Sequence, residues 1–199
     1  MATPAPLPPG SDAIAAWARG RGLRYQPYPD ADWYRAWEPF ETMVAPAQYF
    51  NAVEVPLAGA RAVLAEPWSA TGDGVPLGRT VIAFVTDPRF TWRASARVGA
   101  SHLTRVRWLG AAPPKQRQTG DVEWDDVALT FAKSPLEAVR AFTPSLRKLL
   151  LAWKFEGHME LREGGFVLHV SEMRPTAKDY ERLAGWLPMV SEKGLKAKG

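Results

Sequence analysis

The stretch RTVIAFV, residues 79–85, is a nearly continuous run of apolar and β-branched residues. A run of this length is typical of a strand that is buried on both faces, so we expect it at the centre of a sheet. Upstream, residues 53–57 alternate in polarity, and Gly59 predicts a turn into the apolar residues 62–64. Together these segments predict an antiparallel meander.

A second hairpin is predicted near the C-terminus, where Gly164-Gly165 separates two strand-like segments. A turn at these two glycines pairs Glu163 with Phe166, Leu161 with Leu168, Met159 with Val170 and Glu160 with His169. This register places apolar residues opposite one another, as a stable hairpin requires. We interpret the pair of Glu160 and His169 as a solvent-facing contact between strands rather than a general acid/base pair.

Capping residues predict the helices. Ser11 is the expected N-cap of the first helix, and residues 30–37 are expected to form a helical turn. Ser134 and Thr143 each precede a proline, as at helix starts, and a last helix is expected from Thr176 to Pro188. Residues 90–93 and 103–108 are expected to be strands. The predicted fold class is α+β, with an antiparallel sheet (the meander plus the C-terminal hairpin) packed against three to four helices.

Length and composition favour one globular domain. The chain has 199 residues and no cysteine, which excludes disulfides and thiol chemistry and is typical of a reducing compartment. No apolar run approaches the length of a membrane span, so we expect a cytoplasmic location without a transmembrane segment. We interpret residues 1–10 as a flexible proline-rich arm, 11–190 as a single α+β domain and 191–199 as a basic flexible tail.

The sequence shows no familiar catalytic or ligand-binding motif. His102, His158 and His169 lack metal-ligand spacing, and the acidic residues 121–126 lack the glycine and final glutamate of a calcium loop. Residues 71–74 do not form a phosphate-binding loop. We therefore expect no catalytic residue, no metal site and no cofactor, and interpret the protein as a non-enzyme.

The remaining functional signal is aromatic and basic surface. Nine tryptophans are present, and residues 88–120 contain seven basic residues and no acidic one. Tryptophan and arginine are frequent anchors of protein interfaces. The residues that we predict to bind are Trp33, Trp37, Trp68, Arg93, Arg97, Arg105 and Arg107.

The leading hypothesis is an interaction domain that binds a protein partner, or another copy of itself, through these residues. Nucleic-acid binding by the basic segment 88–120 is an alternative, because alternating arginines and tryptophans suit a phosphate backbone and stacked bases. A small-molecule or lipid pocket under the sheet is another, because a curved sheet backed by helices can enclose an apolar cavity.

Four segments carry a resemblance to known sequences: 19–25 (RGRGLRY), 59–85 (GARAVLAEPWSATGDGVPLGRTVIAFV), 119–151 (TGDVEWDDVALTFAKSPLEAVRAFTPSLRKLLL) and 159–170 (MELREGGFVLHV). In their order they resemble a family of uncharacterised bacterial proteins that is defined as a domain of unknown function. The tryptophan-rich segment 30–40 departs from that pattern. The resemblance implies a compact α+β domain of bacterial origin and implies no activity or catalytic residue.

Overall fold

The structure, a computed structural model, describes residues 6–41, 43, 45–68, 79–99 and 115–195. Its helices are α1 (Ser11–Gly20), α2 (Ala31–Arg35), α3 (Val122–Val127), α4 (Pro135–Ala141), α5 (Pro144–Ala152) and α6 (Ala177–Leu195). Its strands are β1 (Tyr25–Gln26), β2 (Gln48–Leu57), β3 (Ala60–Trp68), β4 (Val81–Thr86), β5 (Ala94–Val98), β6 (Ala128–Phe131), β7 (Gly157–Arg162) and β8 (Gly165–Val170). The α+β fold class is therefore confirmed.

All eight strands pair antiparallel in one sheet, in the order β1-β2-β3-β4-β8-β7-β5-β6. Strands β2, β3 and β4 form the expected meander, and β1 pairs with β2 on its other side. The C-terminal hairpin β7–β8 lies between β4 and β5, so the last strands of the chain join the two parts of the sheet. Residues 81–85 are fully buried in the middle of this sheet, as their apolar sequence predicts.

The two faces of the sheet are covered differently. One face packs against the helices, and its core includes Leu64, Phe166, Leu168 and, from α6, Leu183 and Leu187, all with no exposed surface. The other face carries a smaller core, in which Phe84 packs under residues of α2 and the segment after it. We call residues 30–41 the strap, because they lie across this second face.

The N-caps of α4 and α5 are confirmed. The hydroxyl of Ser134 accepts a hydrogen bond from the amide of Glu137 at 3.1 Å, and that of Thr143 accepts one from Leu146 at 3.1 Å. The carboxylate of Glu137 bonds the amide of Lys133 rather than that of Ser134. At α1 the prediction is wrong: Gly10 occupies the N-cap, because the hydroxyl of Ser11 donates to the carbonyl of Pro8 instead.

The predicted register of the C-terminal hairpin is wrong by two residues. Arg162 pairs with Gly165, so the turn is Glu163-Gly164, and Glu160 lies opposite Val167. Gly165 belongs to the strand because it packs against β4, where a Cβ atom would lie 1.9 Å from the carbonyl oxygen of Val85. Close packing against a neighbouring strand therefore sets the register, and this contact is not visible in the sequence.

Two further predictions need correction. Helix α6 continues through Pro188 to Leu195, because Leu187 and Val190 on either side of the proline are buried in the core. The helix thus includes the first residues of the segment interpreted as a tail, and residues 196–199 lie outside the described part. Residues 90–93 are not a strand; β5 begins at Ala94, after a turn in which Asp87 accepts the amides of Arg89 and Phe90. The segment 103–108 lies outside the described residues.

Within the described ranges, no helix has the length and apolar character needed to cross a membrane.

Candidate interaction surface

The strap begins with α2, which presents its aromatic residues to the sheet. Asp30 caps this helix, because its carboxylate accepts the amide of Asp32 at 3.1 Å. Trp33 and Tyr34 lie in α2, and Trp37 lies in the turn that follows it, so the three rings reach the same face of the sheet. Tyr34 is buried, whereas Trp33 and Trp37 are half-buried. The predicted helical turn with Trp33 and Trp37 on one side is confirmed.

Phe84 of β4 is the centre of an aromatic cluster that holds the strap on the sheet. Five aromatic rings surround it, with their centroids 5.2 to 6.4 Å from the centroid of the Phe84 ring. They belong to Trp33, Tyr34, Trp37, Phe40 and Tyr49. Most of these rings meet at steep angles, the edge-to-face geometry that aromatic side chains favour. Tyr34 and Tyr49 stack at 4.4 Å, and burial raises the pKa of both phenols. The tryptophan rings are therefore held rigidly.

Beside Trp33 lies a surface cavity of about 180 Å³. The guanidinium of Arg61 lies 5.1 Å from the centre of the Trp33 ring, in cation–π geometry. Arg61 and Arg24 both contact the same carboxylate oxygen of Glu54, at 2.8 and 3.4 Å. The cavity thus combines an aromatic wall with a charged rim.

The other end of the strap is attached to the sheet by polar contacts around Glu160, which has no exposed surface. One oxygen of Glu160 accepts the backbone amide of Glu41 at 2.9 Å, and the other accepts Nε of Arg162 at 2.6 Å. The carboxylate of Glu41 in turn accepts the hydroxyl of Ser95 at 2.6 Å. Arg162 also donates to the carbonyl of Pro39 and lies over the ring of Phe40. We call Glu41, Ser95, Glu160 and Arg162 the polar latch.

Histidines lie in a row next to the latch. The strand register places Arg97, His158 and His169 directly opposite one another on β5, β7 and β8. His158 is buried, and its Nε2 lies 3.4 Å from Glu160. Burial acts to raise the pKa of Glu160, but the hydrogen bond and charge of His158, with the charge of Arg162, hold that pKa below its ordinary value. Burial lowers the pKa of Arg97.

The residues around Glu160 hold the strap on the sheet and do not form an open reaction site. His158 and Glu160 together have the residue types of an acid/base pair, but Phe40 packs against His158 and Glu41 bonds Glu160. Both side chains are nearly or fully inaccessible. Across the described ranges, no group of three or more histidine or acidic side chains is placed to hold a metal ion.

The structure brings together some of the predicted binding residues. The ring centroids of Trp33 and Trp37 lie 6.1 Å apart. Arg93 lies at the opposite end of the strap, with its Nε 3.4 Å from a carboxylate oxygen of Glu41. Trp68 is half-buried elsewhere and packs edge-on against Phe50. Arg97 is half-buried in the histidine row. The predicted residues Arg105 and Arg107 lie outside the described residues.

The sequence interpretation missed the polar latch and the role of Arg61. One signal was present: His158, Glu160 and Arg162 alternate with the apolar Met159 and Leu161, which places the three polar residues on one face of a strand. The sequence interpretation assigned that face to solvent, whereas the strap covers it in the structure. No sequence signal joins Glu41 to Glu160, because this contact spans 119 positions.

The two alternative functions, a small-molecule or lipid pocket and nucleic-acid binding by residues 88–120, have less support in the described parts of the chain. Many side chains of the sheet and the helices pack together in one core. A cavity of about 410 Å³ lies between the β2–β3 turn and the end of α6, and one of about 200 Å³ lies where Phe90 and Leu161 face Ala141 and Leu195. In the basic segment, Arg89 pairs with Asp87 at 2.7 Å, Arg93 pairs with Glu41, and Arg117 donates to the carbonyl of Lys133. These arginines are therefore engaged by protein groups.

No protein-family model and no curated protein matches this chain. Among solved structures, it is similar to the crystal structure of the mycobacterial trehalose monomycolate transport factor A, TtfA. The TM-score is 0.60, the sequence identity is 12%, and the similarity covers 94% of each chain. At this identity the similarity shows a shared fold alone. The resemblance to an uncharacterised bacterial family stays a prediction.

Proposed function

We propose that this protein is a non-enzymatic accessory factor of the bacterial cytoplasm that binds a protein partner through the strap face. We define the strap face by Trp33, Trp37, Arg61 and Arg93. The observation that carries the proposal is the position of Trp33: its half-buried ring contacts Phe84, Trp37 and Arg61 beside a cavity. Tryptophan and arginine are enriched among the few residues that contribute most of the binding energy at protein interfaces.

Two further observations support the proposal. The acid/base-type pair His158 and Glu160 is closed by the strap, which disfavours a reaction at that place. A solved structure with a similar fold is that of a transport factor.

The test compares two tryptophans in matched surroundings on opposite layers of the molecule. Trp186 is also half-buried, has the guanidinium of Arg182 at 4.9 Å from its ring and stacks on Trp153 in the helical layer. The tagged protein and its Trp33→Ala and Trp186→Ala variants are expressed in the source organism, cross-linked and purified. We expect a defined partner, or a second copy of the chain, with the parent protein and Trp186→Ala, and its loss with Trp33→Ala.

The thermal unfolding of each variant is measured in parallel, because Trp33 also contributes to the aromatic cluster. The variant Arg61→Ala provides a second disruption that leaves all six rings of the cluster in place. Recovery of only monomeric parent protein would refute the proposal. So would recovery of the partner from Trp33→Ala and Arg61→Ala in the same amount as from the parent protein.

A further inference from the structure

We infer that the cavity beside Trp33 binds a protein segment in which an acidic residue neighbours an apolar residue, an inference that rests on the proposed function. The floor of the cavity consists of Val63 and Tyr34, which are buried, and its wall is the half-buried Trp33. These three side chains present carbon surface to the space between them. Because Tyr34 and Val63 are only 3% and 2% exposed, the apolar surface that a side chain of the partner would remove from water belongs mainly to Trp33, and its removal favours binding.

The arginine side of the rim supplies the charge complementarity. Arg24 and Arg61 share a single oxygen of Glu54, so these three groups carry a net charge of one positive unit, and Asp30 brings the four charged groups that line the cavity to zero. Each guanidinium has five N–H donors, and both arginine side chains are more than half exposed, at 65% and 53%. Donors therefore remain for a second carboxylate, with which a guanidinium forms strong, directional hydrogen bonds.

The remaining charged group at the rim is Asp30. One of its carboxylate oxygens accepts the amide of Asp32 as the cap of α2. Asp30 repels a bound carboxylate, whereas Arg24 and Arg61 attract it. The acidic residue of the partner is thus favoured on the arginine side of the cavity, and this asymmetry orients the bound segment.

The site is also preorganised. Arg61 is fixed by its contact with Glu54 at 2.8 Å and by its position over the Trp33 ring, and Trp33 is fixed by its contacts with Tyr34 and Phe84. Binding then orders few additional side chains, which reduces its entropic cost. A groove that was flexible in the free protein would lack this advantage.

The inference is tested with blocked dipeptides and the full-length protein. Acetyl-Leu-Glu-amide, its neutral analogue acetyl-Leu-Gln-amide and the basic analogue acetyl-Leu-Lys-amide are titrated while the indole N–H of Trp33 and the Nε–H of Arg61 are followed by NMR. We expect the acidic dipeptide to shift both signals and to bind about threefold more tightly than the neutral one, as an exposed ion pair allows. The basic dipeptide should bind most weakly, and added salt should reduce the difference.

Variants separate this inference from the proposed function. The double variant Arg24→Gln/Arg61→Gln should lose the preference for the acidic dipeptide, whereas Arg21→Gln, an exposed arginine paired with Glu181 at 2.7 Å, should keep it. Equal affinity for the acidic and neutral dipeptides, or shifts caused by single-stranded DNA in place of a peptide, would overturn the inference. If the partner from cells is lost with Trp33→Ala but retained by the double arginine variant, the proposed function stands and the acidic motif is refuted.

Discussion

The carboxylate of Glu160 on β7 accepts a hydrogen bond from the backbone amide of Glu41, 2.9 Å away, although 119 positions separate the two residues. This bond fastens the end of the strap to the sheet, and the aromatic cluster around Phe84 fastens its beginning. Trp33 and Trp37 keep a defined position because both ends are attached.

Substitution of Glu160 should destabilise the fold. Glu160→Gln retains the size of the side chain but removes its charge, which leaves Arg162 without its carboxylate partner. Hydrogen bonds to charged groups contribute about 1.5–3 kcal/mol, so we expect the free energy of unfolding to fall by about 2 kcal/mol. Urea denaturation measures this change. The control is Glu163→Gln in the exposed hairpin turn, and a control as unstable as Glu160→Gln would contradict the prediction.

Acid should remove the contribution of Glu160 to stability. Because the pKa of Glu160 is lower in the folded protein than its ordinary value of 4.5, the unfolded chain binds a proton at this residue more readily. Its contribution is therefore fully present above pH 4.5 and is lost as the pH falls through the lower, folded-state pKa. Denaturation measured from pH 7 downwards should show the difference between the parent protein and Glu160→Gln shrinking below pH 4.5. A difference that stays constant with pH would contradict this.

Two glycines should respond to alanine in opposite directions. At Gly165 the φ angle is +156° and a Cβ atom would meet the backbone of Val85, so Gly165→Ala should destabilise strongly and disturb the β4–β8 pairing. At Gly185 in α6 no heavy atom lies within 4 Å of a Cβ atom, so Gly185→Ala should stabilise by about 0.5–1 kcal/mol. Thermal unfolding of both variants checks the pair. Similar effects of the two substitutions would show that the described packing at Gly165 is wrong.

Thr143 should contribute more to stability than the similar cap Ser134. Both cap a helix, but Thr143 is fully buried and its hydroxyl also donates to the carbonyl of Lys193 at 2.7 Å, joining α5 to α6. Ser134→Ala should cost about 1 kcal/mol, the usual effect of a lost N-cap. Thr143→Val should cost about 2 kcal/mol, because the carbonyl of Lys193 also loses its donor. Equal losses in urea denaturation would show that the bond to Lys193 contributes nothing.

Several elements could be predicted from the sequence because local interactions specify them. The caps Asp30, Ser134 and Thr143 bond amides only two or three residues away, so their helices are indicated by short motifs. The apolar run 81–85 favours a strand that is buried on both faces, and in the structure it is fully buried at the centre of the sheet. The fold class and the tryptophan-bearing turn of the strap follow from such local rules.

The rest depends on contacts between residues that are distant in the chain. The insertion of β7–β8 between β4 and β5 and the two-residue change in hairpin register depend on the close packing of Gly165 against Val85. Glu160 is buried because the strap crosses its face of the sheet, where the amide of Glu41 reaches its carboxylate. By itself the sequence determined which residues are apolar, capping or charged, since these are properties of neighbours in the chain. Only the tertiary structure decided which of them meet, because the energy of packing belongs to pairs of surfaces that are far apart in sequence.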